Sequence, residues 1–208
     1  KSLNIPVGAY WFSCANSYEK GVNEAKFMYE NCLKNKQFEY PIYIDVEDTH
    51  YQANNKQGTT EAIIGFCETL EDLGYYVGVY ANTNWFNNYI DTPRLTAYDK
   101  WVASWGTARP SIEGGMWQFG GEENHLRSNI VADRICDQDY SFKDYPEIMK
   151  ANNLNGFSKH INKKSIDEMA REVIEGKYGN YPERKTNLEA LGYNYQEVQD
   201  RVNQILYG

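Results

Sequence analysis

Between residues 5 and 136 the chain alternates short apolar runs with longer stretches of helical periodicity, and this alternation restricts its fold more than any other feature. Strands are predicted at residues 5–12, 41–47, 75–81, 100–104, 116–119 and 130–136. Helices are predicted between the first three. One covers 18–35 and puts Val22, Ala25, Met28, Tyr29 and Cys32 on one side; the other covers 60–73, stacks Ile63, Phe66, Cys67 and Leu70, and closes at Gly74. Parallel strands need a crossover between them, usually a helix, so this order implies an α/β fold built on a mainly parallel sheet or barrel. Six strands are visible rather than the eight of a closed α/β barrel, so a barrel here begins part-way round.

The electrostatics change along the chain. Residues 159–208 hold 8 basic and 8 acidic side chains, whereas the first 158 hold 13 and 21 and therefore the whole net charge of −8. The change falls at the linker-like stretch 152–163, which contains the turn pair Asn155-Gly156. Beyond it, Ser165 and Glu168 form a capping box, and Ile166, Met169, Ala170, Val173 and Ile174 make one apolar stripe. A short helix over 183–191 stops at Gly192, and Val198, Val202, Ile205 and Leu206 make a third stripe. The expected organisation is an α/β domain over 1–152, a linker over 153–163 and a small three-helix module over 164–208.

Composition narrows the function. Hydrophobic residues at 41% and charged residues at 24% are ordinary globular usage, which excludes extended disorder. The acidic balance argues against nucleic acid as a partner, because phosphate binding relies on Lys and Arg. No apolar run is long enough for a membrane span. Cys14, Cys32, Cys67 and Cys136 lack CxxC spacing and read as mostly unbridged, buried thiols of a protein made in a reducing compartment. Aromatic residues reach 15%, with 18 Tyr and 5 Trp, which suits a surface that stacks on sugars and hydrogen-bonds them.

The sharpest chemical feature is Tyr43-Ile44-Asp45-Val46-Glu47-Asp48. Residues i and i+2 of a strand share a face, so Asp45 and Glu47 point the same way at the strand's C-terminal end, where α/β barrels place catalytic groups. Close carboxylates repel each other and keep the more apolar one protonated, and a proton donor beside an anion is what glycosidic cleavage requires. The plain alternative is that these acids end the strand and cap the following turn. Asp48 and His50 add a hard-metal option, but no further ligand stands at a recognised spacing. His50, His125 and His160 lie in polar contexts and no GxSxG occurs, so a nucleophilic triad has little support. Among later carboxylates Asp137 is the better candidate, while Asp133 and Asp139 read as solvated or paired with Arg134. Tyr10, Tyr80, Trp101, Trp105 and Trp117 recur in strands or at their ends; each reads as core taken singly, and together they favour an aromatic-lined cleft.

VGAYWFS (7–13), PIYIDVED (41–48), GYYVGVYAN (74–82), KWVASW (100–105), MWQFGG (116–121) and CDQDYSFKDYP (136–146) resemble, in this order, the glycoside hydrolase family 25 lysozymes of phage endolysins and bacterial autolysins. Residues 165–206 are similar to the cell-wall-binding repeat CW_7. The resemblance implies an irregular TIM-like β/α barrel that cleaves the β-1,4 bond between N-acetylmuramic acid and N-acetylglucosamine. Peptidoglycan is then the partner, no cofactor or metal is needed, and a chain made in the bacterial cytoplasm acts on the wall after phage lysis or secretion. Glu47 matches the general acid, Asp45 its strand partner, and Asp137 the late acidic residue that stabilises the reacting centre. Tyr10, Tyr80, Trp101, Trp117 and Gln118 fall in blocks that line the family's cleft. The family's opening GIDVS-type strand and the following βα unit have no counterpart here, so the expected barrel lacks its first βα units, about fifty to seventy residues. The rival reading is a non-catalytic peptidoglycan-binding protein with an incomplete barrel; a third is a metal-dependent polysaccharide deacetylase.

Overall fold

The computed structural model describes residues 4–121, 130–131, 134–157 and 164–208 and divides the chain into two compact units, 1–159 and 160–208. His125, Asp133 and His160 lie outside the described residues.

The first unit runs β1 (Ala9–Phe12), α1 (Tyr18–Met28), β2 (Ile42–Asp45), α2 (Lys56–Asp72), β3 (Val77–Asn82), α3 (Thr83–Asn88), β4 (Asp99–Ala103), β5 (Met116–Gly120), β6 (Ile130–Val131), β7 (Arg134–Ile135), β8 (Gln138–Ser141) and α4 (Tyr145–Asn152). Strands β1 to β5 pair in sequence order and in parallel, and β8 closes the far side antiparallel to β5. The result is a mixed α/β fold whose six-stranded sheet curls as a half barrel.

Alternation along the strands separates two chemistries. Ile42, Ile44, Val46, Val77, Val79, Ala81 and Val102 are fully enclosed and meet Ala25, Met28, Ile63, Phe66, Cys67 and Leu70 from the helices. Helix α1 starts at the Ser17 cap and α2 at the Asn55 cap, whose side-chain oxygens accept from Lys20 N and Gly58 N. The two helices approach closely because a Cβ at Gly21 would collide with the Ala62 carbonyl oxygen, and one at Gly65 with that of Tyr18. The predicted helix over 18–35 ends differently from expectation. A π-helical turn over Tyr29–Leu33 adds a residue to the last turn, so Leu33 rather than Cys32 enters the core. The four cysteines form no disulfide, and the expectation that they are buried holds for Cys67 alone; Cys14, Cys32 and Cys136 are exposed.

Two further expectations are corrected. The described strand residues of 130–136 do not supply the sixth strand of the sheet, since among the described residues β6 and β7 pair with each other in a separate two-stranded sheet. That place belongs to β8, which sets Tyr140 against Trp117 with rings stacked at 5.7 Å and Asp139 opposite Gln118, cross-strand pairs that stabilise this register. Likewise, residues 153–157 are part of the first unit rather than linker. Asn155 is buried, its Oδ1 accepts from Tyr76 N at 2.7 Å, its Nδ2 donates to Tyr40 O at 2.7 Å, and its backbone bonds Phe38 and Gly74. Leu154 and Phe157 pack beside Tyr145 and Met149.

In the second unit α5 (Ile166–Ile174), α6 (Glu183–Ala190) and α7 (Tyr195–Tyr207) enclose Met169, Ala170, Val173, Leu188, Tyr193, Val198 and Val202. The Ser165–Glu168 capping box is formed, and Gly176 and Gly192 take positive φ where α5 and α6 give out. Ile174 and Leu206, expected in the apolar stripes, are exposed. Among the described residues no helix is long and apolar enough to cross a membrane.

Candidate active site

The face of the sheet turned away from α1 and α2 carries the polar and aromatic residues. Strand register aligns Phe12, Asp45, Tyr80 and Trp101 in one row across β1 to β4, and Asn82, Ala103, Gln118 and Asp139 in the next row from β3 to β8. Gly78 leaves room for the Tyr43 ring, since a Cβ there would lie 2.5 Å from Tyr43 Cε1.

Asp45 ends β2 and is buried, with its Oδ1 lacking a hydrogen-bond partner. Burial, reinforced by repulsion from Glu47, pushes its carboxyl up to about 7. Glu47 is half-buried, two residues on and in phase with Asp45. Asp48, out of phase, does what the plain alternative requires. Its Oδ1 accepts from His50 N at 2.8 Å and Tyr51 N at 2.7 Å and so ties down the turn after the strand. Among the described residues no group of three or more His, Cys, Asp or Glu side chains is arranged to hold a metal ion.

Tyr80 is the hub of the site. Its phenol is held well above the usual range, first by burial and then by the charges of Glu47, Asp45, Asp137 and Asp139. That hydroxyl donates to Gln118 Oε1 at 2.9 Å, and Trp105 Nε1 donates to the same oxygen at 3.2 Å. With its carbonyl occupied twice, Gln118 turns its amide toward Asp137, Nε2 donating to Oδ2 at 3.4 Å. Gly121 matters at this point, because a Cβ there would strike Asp137 Oδ1.

Trp101 stands edge-on to Tyr80 with ring centroids 4.7 Å apart, and it also meets Tyr43 at 5.4 Å and Tyr10 at 6.4 Å. Its indole N–H donates to Asp139 Oδ1 at 2.6 Å. Although Asp139 is an exposed residue, crowding around its carboxyl pushes it up to about 6; the Trp101 bond opposes that shift and Asp137 adds to it. Below this row Tyr10, Tyr43, Trp101, Met116, Asp139 and Ser141 line a cleft of about 370 Å³.

Seven of the eight residues singled out from the sequence, Asp45, Glu47, Asp137, Tyr10, Tyr80, Trp101 and Gln118, meet on this face. Trp117 does not join them. Strand alternation turns it to the opposite side from Gln118, where its N–H bonds Ser104 O at 2.9 Å and its ring contacts Phe119 and Tyr140. Asp139, read from the sequence as solvated or paired with Arg134, belongs to the site through Trp101. The i, i+2 rule that paired Asp45 with Glu47 also pairs Asp137 with Asp139, and it is the signal that could have found it. Trp105 likewise enters through the Gln118 oxygen.

Comparison with known proteins shows the family and the fold. Residues 1–126 match the model of glycosyl hydrolases family 25, and residues 167–206 match the CW_7 repeat. The lysozyme of Streptococcus phage Cp-7 is 30% identical over 217 residues, covering 98% of this chain, and the chain spans about 57% of that relative's length. In fold, the chain is similar to the crystal structure of the CTP1L endolysin, with TM-score 0.56 and 18% identity over 98% of this chain and 81% of that one. It is similar also to the bacterial lysozyme from Streptomyces coelicolor, with TM-score 0.56 and 16% identity over 76% of each chain. The chain therefore belongs to glycosyl hydrolases family 25 and carries a CW_7 repeat behind the segment that defines the family.

Proposed function

We propose that the first unit hydrolyses peptidoglycan as an N-acetylmuramidase, cleaving the β-1,4 bond between N-acetylmuramic acid and N-acetylglucosamine. The carrying observation is the strand end that sets Asp45 in one row with Tyr80 and carries Glu47 two residues on, with Asp137 joined to Tyr80 through Gln118. Glycosidic cleavage needs a proton for the leaving oxygen and negative charge beside the oxocarbenium-like carbon. Glu47, half-buried and beyond the strand end, protonates the leaving oxygen in this reading. Asp45 lies deeper, and in this reading it acts with Asp137 to stabilise the oxocarbenium-like centre and to position the substrate's N-acetyl group. Asp137, steadied by Gln118, supplies charge opposite, while Tyr10 and Trp101 offer ring surface to the sugars.

The finer architecture belongs to the same proposal. The half barrel is an irregular TIM-like β/α barrel in type, and the second unit is a three-helix wall-binding module. A module tethered to the catalytic unit raises the local concentration of substrate. The partner is bacterial peptidoglycan rather than nucleic acid, and the protein is made in the cytoplasm and acts on the wall.

Purified peptidoglycan incubated with the chain should yield new reducing ends, and Glu47→Gln should abolish them. Wall pull-down without reducing ends would overturn hydrolysis in favour of simple peptidoglycan binding.

A further inference from the structure

Strand β8 and the residue before it return two carboxylates to the site, and they reach Tyr80 by different routes. Asp137 acts through Gln118, whose carbonyl oxygen receives the Tyr80 hydroxyl. Asp139 acts through Trp101, whose ring edge meets the Tyr80 ring at 4.7 Å. The second route has no part in the proposed chemistry, yet its 2.6 Å bond is shorter than an ordinary N–H···O contact and ends on a carboxylate. Trp101 is half-buried, flanked by Tyr80 and Tyr43, and faces the cleft together with Tyr10. The N–H bond adds to these ring contacts a directional restraint on the indole's two side-chain torsions.

We propose that Asp139 is a positioning residue for glycan binding, which through the Trp101 indole N–H fixes that ring beside Tyr80, in the row that carries Asp45, as a surface against which a sugar is placed. This assignment rests on the muramidase reading above. It predicts an effect on substrate binding rather than on bond cleavage, since Asp139 touches the ring and not the reacting atoms.

The test compares wild type, Asp139→Ala, Asp139→Asn, Trp101→Phe and the Asp139→Ala/Trp101→Phe double variant on soluble peptidoglycan glycan strands, with near-ultraviolet circular dichroism of the unliganded proteins. Asp139→Ala should raise KM about tenfold, the scale of a lost hydrogen bond to a charged group, with kcat within about twofold. Asp139→Asn keeps an oxygen acceptor and should restore most of the lost affinity. The Trp101 dichroism band, assigned by its loss in Trp101→Phe, should change in Asp139→Ala, and the double variant should bind no worse than Trp101→Phe alone. A wild-type KM in Asp139→Ala, an unchanged Trp101 band, or independent multiplication of the two KM effects would overturn the assignment while hydrolysis stands. Absence of reducing ends with the wild type would instead overturn the muramidase reading, and this assignment with it.

Discussion

On the helix side of the sheet, Ile42, Ile44, Val77, Val79 and Val102 are enclosed by α1 and α2, whereas one residue along, on the other side, Tyr43, Asp45, Tyr80 and Trp101 form rings and hydrogen bonds around a cluster of acids. The same backbone carries both faces, because successive side chains of a strand point in opposite directions. The first face is stabilised by apolar burial, at about 25 cal/mol per Å² removed from water. The second opposes stability at Asp45, where a buried carboxyl oxygen goes without a partner. Comparing them suggests that the helix-side core offsets the cost of an acid-rich face, as functional sites commonly require.

Four substitutions probe that division. Glu47→Gln, on the acid face, should lower the hydrolysis rate by about 10²- to 10⁴-fold, the usual span for a general acid, and leave the melting temperature near that of the wild type. A parallel loss of melting temperature would erase the division. Ile44→Ala, one face over, should do the reverse. A fully buried aliphatic truncated to Ala costs about 2–5 kcal/mol in denaturant unfolding, while the rate per folded molecule holds at low temperature.

Asp45→Asn tests the electrostatic cost. A carboxyl whose folded pKa is about 7, against roughly 3.9 when unfolded, binds its proton more tightly in the native state. Its contribution is therefore fully present below about pH 4 and is lost as pH rises toward about 7, at the order of 1 kcal/mol per pH unit. Asp139, raised to about 6, adds a slope of the same sign over the lower part of that window. Asp45→Asn should flatten the stability profile between pH 4 and 7, read by urea midpoints across pH, and an unchanged slope would sink the assignment of that shift to Asp45. The smallest effect belongs to Asp48→Ala, which frees the His50 and Tyr51 amides and should cost about 1 kcal/mol with the hydrolysis rate preserved. A rate collapse there would place Asp48 in the chemistry rather than in the turn.

Much of the fold can be read along the chain. The first five strands and both long helices lie within a few residues of where apolar periodicity places them, because each signal is local. What periodicity misses depends on neighbours in space. The π-helical turn at Tyr29–Leu33 exchanges Cys32 for Leu33 in the core, and Asn155 looks like a turn residue until Tyr40 and Tyr76 are seen on either side of it. Strand β8 carries four residues with no apolar run, Gln-Asp-Tyr-Ser, so nothing in its own composition marks it as a sheet strand. Its partner β5 marks it, through Trp117 and Gln118. The site divides in the same way. Asp45 and Glu47 are legible as a pair and Trp105 as one of the strand-end aromatics, whereas the bonds that bring Asp139 and Trp105 into the site come from side chains 38 and 13 positions away.

Local periodicity is enough to establish that the chain builds alternating strands and helices, and that Asp45 and Glu47 leave one strand on one side, because a strand repeats every two residues. Tertiary structure decided which acid is pushed toward neutrality, which aromatic rings stand beside it, and that Asp137 and Asp139 arrive from the opposite end of the sheet. A pKa and a hydrogen bond both depend on burial and on charges only ångströms away through space, and those distances exist only once the chain has folded.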